Sequence, residues 1–286
     1  MRALCVKRAG LVSVLTGVAV AALALSLAVT LWGIWGGDTT RTEPPVSDGS
    51  LQKVLDAKRL VLGLDVEYPP MGFIDEKGEI VGFDIDTAQE VCNRLGIELI
   101  KQPINWDAKE DDLNSGKIDC IWNGMSVSQE RAERMNLSEP YVKNELVFVV
   151  PGDSGVKVRR DLKSKKIGVQ AGSTTQEALE TSDIYYMGIS VVALDNNVEI
   201  MRKLSAGELD AALIDSLVVY YLISMSNERY FVLPDSLVEE KCAIGFRKKD
   251  RDLRDKVQEI LQDMKADGTL GRISQKWFGS DITIVR

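Results

Sequence analysis

Histidine is absent from all 286 residues of the sequence. Histidine is the commonest general base of enzymes, and every Ser-His or Cys-His nucleophile pair depends on it. Only carboxylates, lysine, tyrosine and cysteine remain for proton transfer. This absence sharply narrows the catalytic mechanisms open to the chain and argues against an enzyme.

Cysteine is also scarce, and the four cysteines stand far apart in the chain: Cys5, Cys92, Cys120 and Cys242. Structural zinc sites are built from closely spaced Cys pairs, which are missing here. Asp84 and Asp86 lack the rest of a calcium-binding loop. We expect no metal and no cofactor, and at most one disulfide among the last three cysteines.

The chain has no basic cluster. Its net charge is -8 with a pI near 4.9, and its lysines and arginines are scattered along the sequence. Nucleic-acid binding needs a basic patch or stripe. A nucleic-acid partner is therefore excluded.

One long apolar run stands near the N-terminus. Residues 9–37 carry no charge and are rich in Leu, Val and Ala, whereas Arg2, Lys7 and Arg8 precede them. About twenty apolar residues span a bilayer, and the basic flank marks the cytoplasmic side. We predict a cytoplasmic tip over 1–8, a single-pass membrane anchor over 9–35 and a polar tether over 36–49, with the remainder outside the cytoplasm. A cleaved signal peptide is the alternative, although its apolar region usually runs only about 7–15 residues.

From residue 50 onward, strand and helix patterns alternate. This order predicts an α/β protein with mostly parallel sheets. The breaker cluster Pro151-Gly152-Asp153 precedes a second run of the same alternation. We predict lobe 1 over 50–140 and 243–286, lobe 2 over 146–237, and hinge strands over 141–145 and 238–242, because a terminal strand and helices after lobe 2 are best placed in lobe 1.

An internal repeat supports two lobes. Residues 113–119 (LNSGKID) and 204–210 (LSAGELD) share a helix end, a capping glycine and a following strand. In this register Gly124 corresponds to Asp215. Both lie beyond the carboxyl end of a strand, where open α/β sheets bind ligands.

The stretch after the first of these strands suits an anion. In residues 123–131 (NGMSVSQER), Gly124 begins a turn with free backbone N–H groups, Ser126 offers a hydroxyl, and Ser128 is a helix N-cap that precedes Arg131. An arginine fork matches a carboxylate in two hydrogen bonds. Asp215 offers the opposite charge for an ammonium group. Together they suit an α-amino acid, whose buried charges both need partners.

Five motifs in order resemble the family 3 solute-binding proteins, the amino-acid receptors of ABC importers. They are GFDID at 82–86, the stretch 123–131, GVQAGST at 168–174, the strand and acid at 210–215, and KWFG at 276–279. The resemblance implies a hinged two-lobed fold of the periplasmic-binding-protein type II (Venus-flytrap) class. In this family the GFDID acids are structural and cap or brace the following helix.

The resemblance also implies roles for the site residues. The α-carboxylate would contact Arg131, Ser126 and backbone groups at Ser173 and Thr174, where the SxxQ pattern of residues 173–176 also predicts a capped helix N-terminus. Asp215 would hold the α-ammonium. The ligand side chain would lie between aromatic and acidic residues: Tyr68, Trp106 and Asp65, with Glu67 a weaker candidate.

These observations predict a monomeric, membrane-anchored, extracytoplasmic protein that closes around a free polar L-amino acid and delivers it to an ABC permease and ATPase. The acid at position 65 favours glutamine, a basic amino acid or cystine over glutamate and aspartate. One alternative is the sensing domain of a signalling receptor, although only about eight residues precede the apolar run, too few for a cytoplasmic output domain. The other alternative is a dehydratase built on the same fold.

Overall fold

Two β-sheets organise the structure, a computed structural model that describes residues 47–286. The predicted anchor and most of the predicted tether lie outside the described residues. Within residues 47–286, no helix is long and apolar enough to cross a lipid bilayer.

The first sheet has five strands, and with its helices it forms lobe 1. β1 runs parallel to β5 and β6, and β14 pairs antiparallel with β6 and β7. The order across the sheet is β5 (Glu98–Pro103), β1 (Arg59–Leu64), β6 (Cys120–Ile121), β14 (Gly245–Arg247) and β7 (Met135–Leu137).

Six helices belong to this lobe: α1 (Ser50–Ala57), α2 (Phe83–Leu95), α3 (Lys109–Asn114), α4 (Gln129–Arg134), α8 (Arg251–Ala266) and α9 (Thr269–Phe278). A 3-10 turn, Trp106–Ala108, precedes α3. A small antiparallel sheet covers the residues between β1 and α2, and its strands are β2 (Glu67–Tyr68), β3 (Gly72–Ile74) and β4 (Ile80–Val81).

The second sheet has six strands and forms lobe 2. β9 runs parallel to β10 and β11, and β8 pairs antiparallel with β11, β12 and β13. The strands are β8 (Val142–Pro151), β9 (Lys166–Gln170), β10 (Ser190–Leu194), β11 (Ala211–Asp215), β12 (Tyr230–Val232) and β13 (Val238–Cys242). The helices are α5 (Thr174–Thr181), α6 (Asn197–Ser205) and α7 (Ser216–Met225), with 3-10 turns at Arg159–Leu162 and Tyr185–Met187.

Both connections between the lobes are strands, and they pair with each other. The first half of β8 runs antiparallel to β13, with Val142 opposite Cys242 and Leu146 opposite Val238. Side chains of β8 alternate between buried and exposed over this half and are continuously buried in the sheet that follows. We refer to this paired segment as the hinge ladder.

The internal repeat has the same structure in each lobe. Asp119 accepts a hydrogen bond from the backbone N of Val61 at 3.1 Å, and Asp210 accepts one from the backbone N of Lys166 at 2.9 Å. Each aspartate thus fixes the start of the neighbouring parallel strand. Its own strand then continues to the carboxyl edge of the sheet.

The GFDID motif contacts other elements rather than capping its own helix. The N-cap of α2 is Gly82, and no side chain caps it. Asp86 pairs with Lys276 at 2.6 Å and accepts from the indole N of Trp277 at 2.8 Å. Phe83 packs edge-on against Phe278 with centroids 5.3 Å apart. The first and last of the five motifs, GFDID and KWFG, therefore contact each other inside lobe 1.

Some predicted elements differ from the structure. The strand predicted over 117–122 is regular only at Cys120–Ile121, although the backbone N of Asp119 and of Trp122 also donate to β1, and the turn predicted over 67–72 contains β2. Cys92, Cys120 and Cys242 are buried and unpaired. Each packs in the apolar core instead of forming a disulfide.

Candidate ligand-binding site

A small cavity lies between the two lobes at the carboxyl ends of the central strands. Its volume is about 20 Å³, which is about the space that one water molecule needs. The lining residues come from both lobes: Asp65, Tyr68, Trp106, Asn123, Gly124, Ser126, Arg131, Gln170, Ser173, Thr174, Thr175 and Asp215. An amino acid can enter only if the lobes move apart.

Arg131 supplies the positive charge of the cavity. Its helix begins after Ser128, whose hydroxyl accepts from the backbone N of Arg131 at 3.2 Å, as predicted. The guanidinium Nη1 donates to the carbonyl of Ser126 at 2.7 Å, and the residue is 6% exposed. Burial lowers the pKa of Arg131. Within residues 47–286 the guanidinium forms no ion pair.

Asp215 supplies a negative charge from the opposite lobe. It is the last residue of β11, 7% exposed, and it accepts a hydrogen bond from the Asn144 amide. Burial, reinforced by the charge of Glu240, raises the pKa of Asp215 to about 7. No lysine or arginine of the described residues pairs with it.

The turn after β6, residues 123–128, forms one wall and is called the Gly124 loop. Gly124 has φ +58°, and a Cβ there would lie 2.8 Å from the Tyr68 ring, so both conformation and space require glycine. The backbone N of Gly124 donates to Asp84 Oδ2 at 2.7 Å, and the hydroxyl of Tyr141 donates to the same oxygen at 3.0 Å. Buried Asp84 thus fixes the loop from inside lobe 1.

Asp65 and Gln170 meet across the lobes. Gln170 Nε2 donates to Asp65 Oδ2 at 2.8 Å, and Asn123 Oδ1 accepts from the backbone N of Asp65 at 2.9 Å. Burial raises the pKa of Asp65. Glu67 is exposed and does not line the cavity, although its backbone N donates to Asp65 Oδ1 at 2.8 Å.

Two aromatic rings complete the lobe 1 side. Tyr68 and Trp106 are both buried and line the cavity. Tyr68 ends β2 and directly precedes Pro69-Pro70.

Ser173 and Thr174 lie at the N-terminus of α5. The Ser173 hydroxyl accepts from the backbone N of Gln176 at 3.2 Å, which confirms the predicted N-cap. The predicted return bond differs, since Gln176 Oε1 accepts from the backbone N of Gly172 at 3.2 Å and not from Ser173. Ser173 and Thr174 line the same cleft as Arg131.

All nine predicted site residues line the one cavity. Sequence reasoning missed Gln170 and Thr175 and set Asn123 aside as variable. Gln170 was within reach of prediction, because it ends strand β9 at the sheet edge where ligands bind.

Fold and site together define a class: two-lobed α/β proteins whose lobes contribute opposite charges to a shared cleft and close on a small polar solute. The chain belongs to the bacterial extracellular solute-binding proteins, family 3, whose profile matches residues 60–280.

Known proteins of this kind cover most of the chain. The L-cystine-binding protein TcyJ of Escherichia coli K12 is 32% identical over 238 residues, or 82% of this chain and 88% of TcyJ. The crystal structure of Tv2483 bound to L-arginine superposes with a TM-score of 0.80 at 34% identity, covering 84% of this chain and 98% of the other. The ancestral amino acid-binding protein AncCDT-1, a precursor of cyclohexadienyl dehydratase, gives a TM-score of 0.74 at 30% identity, covering 80% and 99%.

Proposed function

We propose that this protein binds a free polar L-amino acid outside the cytoplasm and delivers it to an ABC-type importer. The observation that carries the proposal is the pair Arg131 and Asp215. Both are buried, both lack a counter-ion among the described residues, and both line one cavity from opposite lobes. An unpaired buried charge is costly. A zwitterion would satisfy both charges at once.

The ligand's two ends would be held differently. Arg131 and the N-terminus of α5 at Ser173 and Thr174 would bind the α-carboxylate, with Gly124 and Ser126 forming the adjacent wall of the cavity. Asp215 would bind the α-ammonium, with the Tyr68 hydroxyl beside it. The rings of Tyr68 and Trp106 would enclose the side chain.

The part of the cavity around Asp65 bears on which amino acid is bound. The Asp65 carboxylate is buried there and pairs with no cation among residues 47–286. A ligand side chain that donates hydrogen bonds would complete its contacts, whereas a carboxylate would be repelled. Glutamine, a basic amino acid or cystine therefore rank above glutamate and aspartate, and TcyJ and Tv2483 are relatives that bind cystine and arginine.

The lobe boundaries and the anchor belong to the same proposal. The strand pairing supports lobe 1 over 50–140 and 243–286, lobe 2 over 146–237, and a hinge at 141–145 and 238–242. Extracytoplasmic location follows the family description. A membrane anchor over 9–35 and a monomeric state rest on the sequence alone.

A binding role is favoured over an enzymatic one. The relatives described above are binding proteins, and AncCDT-1 is itself an amino acid-binding protein that precedes a dehydratase. The absence of histidine from the whole sequence removes the commonest proton carrier.

The test is a thermal-shift screen of residues 47–286 with each L-amino acid and L-cystine at millimolar concentration, followed by calorimetry on variants. A ligand at 100 times its Kd stabilises the folded state by about 2.7 kcal/mol. Arg131→Met should weaken binding at least a hundredfold, because the α-carboxylate would lose the cation that lines the cavity.

Arg134→Met is the matched control. Arg134 lies in the same helix, its side chain is 59% exposed, and it pairs with Glu130 at 2.8 Å away from the cavity. The Arg134→Met variant should bind the amino acid with wild-type affinity. Unchanged affinity in Arg131→Met, or the absence of any stabilising amino acid, would refute the proposal.

A further inference from the structure

Glu240 contacts both halves of the site without lining the cavity. It lies on β13 directly opposite Asn144 in the hinge ladder. Its Oε2 accepts from the Ser126 hydroxyl at 2.6 Å and from the Asn144 amide at 3.3 Å. The same amide also donates to Asp215 Oδ1. One carboxylate on the hinge is therefore connected to the predicted subsites for both ends of the ligand.

The contact with Ser126 limits what that hydroxyl can do. A serine hydroxyl has one proton to donate and two acceptor lone pairs. Because the proton is directed at Glu240, Ser126 presents only acceptor positions to the cavity. A ligand carboxylate must then rely on Arg131 and on backbone N–H groups, and the Ser126 oxygen suits an ammonium instead.

The Gly124 loop is joined to β13 by backbone bonds as well. The backbone N of Val127 donates to the carbonyl of Lys241 at 2.8 Å, and the backbone N of Ala243 donates to the carbonyl of Met125 at 2.9 Å. Glu240 is thus held at a fixed position relative to the loop. Its carboxylate adds a side-chain contact to a connection that the backbone already makes.

We propose that Glu240 is a positioning residue of the binding site, which orients the Ser126 hydroxyl and the Asn144 amide from the hinge and, through that amide, acts on Asp215. The inference rests on the proposed function, because it assigns Asp215 to the ligand's ammonium. Glu240 thereby determines the pH range in which the site accepts its ligand.

The charged groups around Asp215 explain this dependence on pH. The groups that act on it are the Tyr68 hydroxyl from β2, the Arg131 guanidinium from α4, and Glu240 with the Cys242 thiol from β13. Glu240 is the acid among them, and its charge helps to raise the pKa of Asp215. An ammonium needs the ionised form of Asp215, so affinity should fall as pH drops below about 7.

The experiment compares the full chain, in a mild detergent, with its Glu240→Gln and Glu239→Gln variants. Binding of L-arginine, L-glutamine, L-histidine and L-cystine is measured by calorimetry from about pH 5 to about pH 8.5, a range that spans the expected titration of Asp215. Glutamine keeps an acceptor for Ser126 but removes the charge. Glu239 is the matched control, because it precedes Glu240 on the same strand, is exposed, and does not contact the Ser126 hydroxyl.

In Glu240→Gln, affinity should begin to fall at a pH about one unit lower than in the wild type, because loss of a neighbouring negative charge favours ionised Asp215. Affinity at the alkaline end of the range should also drop, because the orienting contact is weakened. Glu239→Gln should follow the wild-type profile. A merely structural role would lower affinity equally at all pH values.

An unmoved profile in Glu240→Gln, or an equal shift in Glu239→Gln, would overturn the inference while leaving the proposed function in place. If the wild-type chain binds none of the four amino acids, the proposed function and this inference fail together. A variant that does not fold is recognised by its circular dichroism, and Glu240→Asp then replaces it, with a partial shift expected.

Discussion

Asp84 contacts the Gly124 loop and the Tyr141 hydroxyl from a fully buried position. Burial raises the pKa of this carboxyl from 3.8 to about 7. Between those values the folded protein keeps a proton that the unfolded chain has released. Stability should therefore decrease as pH rises through this window, by up to about 1.4 kcal/mol per pH unit for a single such group.

Asp84→Asn should flatten this dependence. Asparagine retains an acceptor for Gly124 but cannot ionise. The contribution of residue 84 to the slope of stability against pH, between about pH 4 and about pH 7, therefore disappears. The free energy of unfolding of residues 47–286, measured by urea denaturation at several pH values, checks this. Asp215 acts in the same direction, so Asp84→Asn/Asp215→Asn should flatten the profile further. A wild-type slope in Asp84→Asn would contradict the argument.

Single residues of the site differ in how far the sequence reveals them. Arg131 and Asp215 could be predicted, because each is a charged residue just after a buried strand or a turn, where an ionised side chain needs a partner. Glu240 could not. Its neighbours in VEEKC read as an ordinary polar strand, and its role depends on pairing with Asn144, about a hundred positions away. Register between such distant strands is a tertiary property.

At the scale of elements, the turn before α5 meets the turn before α3 across the lobes. Lys109 is buried, and its ammonium donates to the carbonyls of Gly172 at 3.0 Å and Trp106 at 3.1 Å. Burial lowers the pKa of Lys109 to about 8. Gly172 has φ +64°, and a Cβ there would overlap Asp107 Oδ1. The closed arrangement needs a glycine at this position.

Gly172→Ala should weaken ligand binding about tenfold or more, because the added methyl group collides with Asp107 only when the lobes are closed. Gly207→Ala is the control for backbone strain. Gly207 has φ +72° in the same lobe, and a Cβ at this position would have no other atom within 4 Å. The substitution should cost about 1 kcal/mol of stability and leave Kd unchanged. Equal Kd values for the two variants would argue against this contact.

Element boundaries were predictable where periodicity is strong and unreliable where tertiary contacts decide. The helix predicted over 174–180 is observed as Thr174–Thr181, with Ser173 as its cap. The strand predicted over 117–122 is regular over only two residues, Cys120–Ile121, and at Asp119 the side chain contacts Val61 and Arg247 while the backbone N also donates to Val61. Apolar character in the sequence marks burial from Ile118 to Trp122, whereas the regular strand depends on pairing with β1 and β14.

For the whole molecule, the cavity of about 20 Å³ implies two arrangements of the lobes. Ligand exchange requires an open form, and binding should shift the population toward a closed one. Small-angle scattering of residues 47–286 should show the radius of gyration falling by about 1 Å, from roughly 18 Å, on saturation with ligand. Arg131→Met should show no change at the same concentration, and identical wild-type curves with and without ligand would rule out hinge closure.

The hinge ladder has a consequence for the direction of ligand entry. Because Val142–Leu146 and Val238–Cys242 are hydrogen-bonded to each other, the two crossings cannot lengthen or slide independently. Such a ribbon bends readily about one axis and resists separation along the line that joins the lobes. We therefore expect the lobes to open by rotation about this ribbon. Lys109 and Gly172 line an open cleft together with Arg131, Ser173 and Thr174, and we expect the amino acid to enter past these two residues.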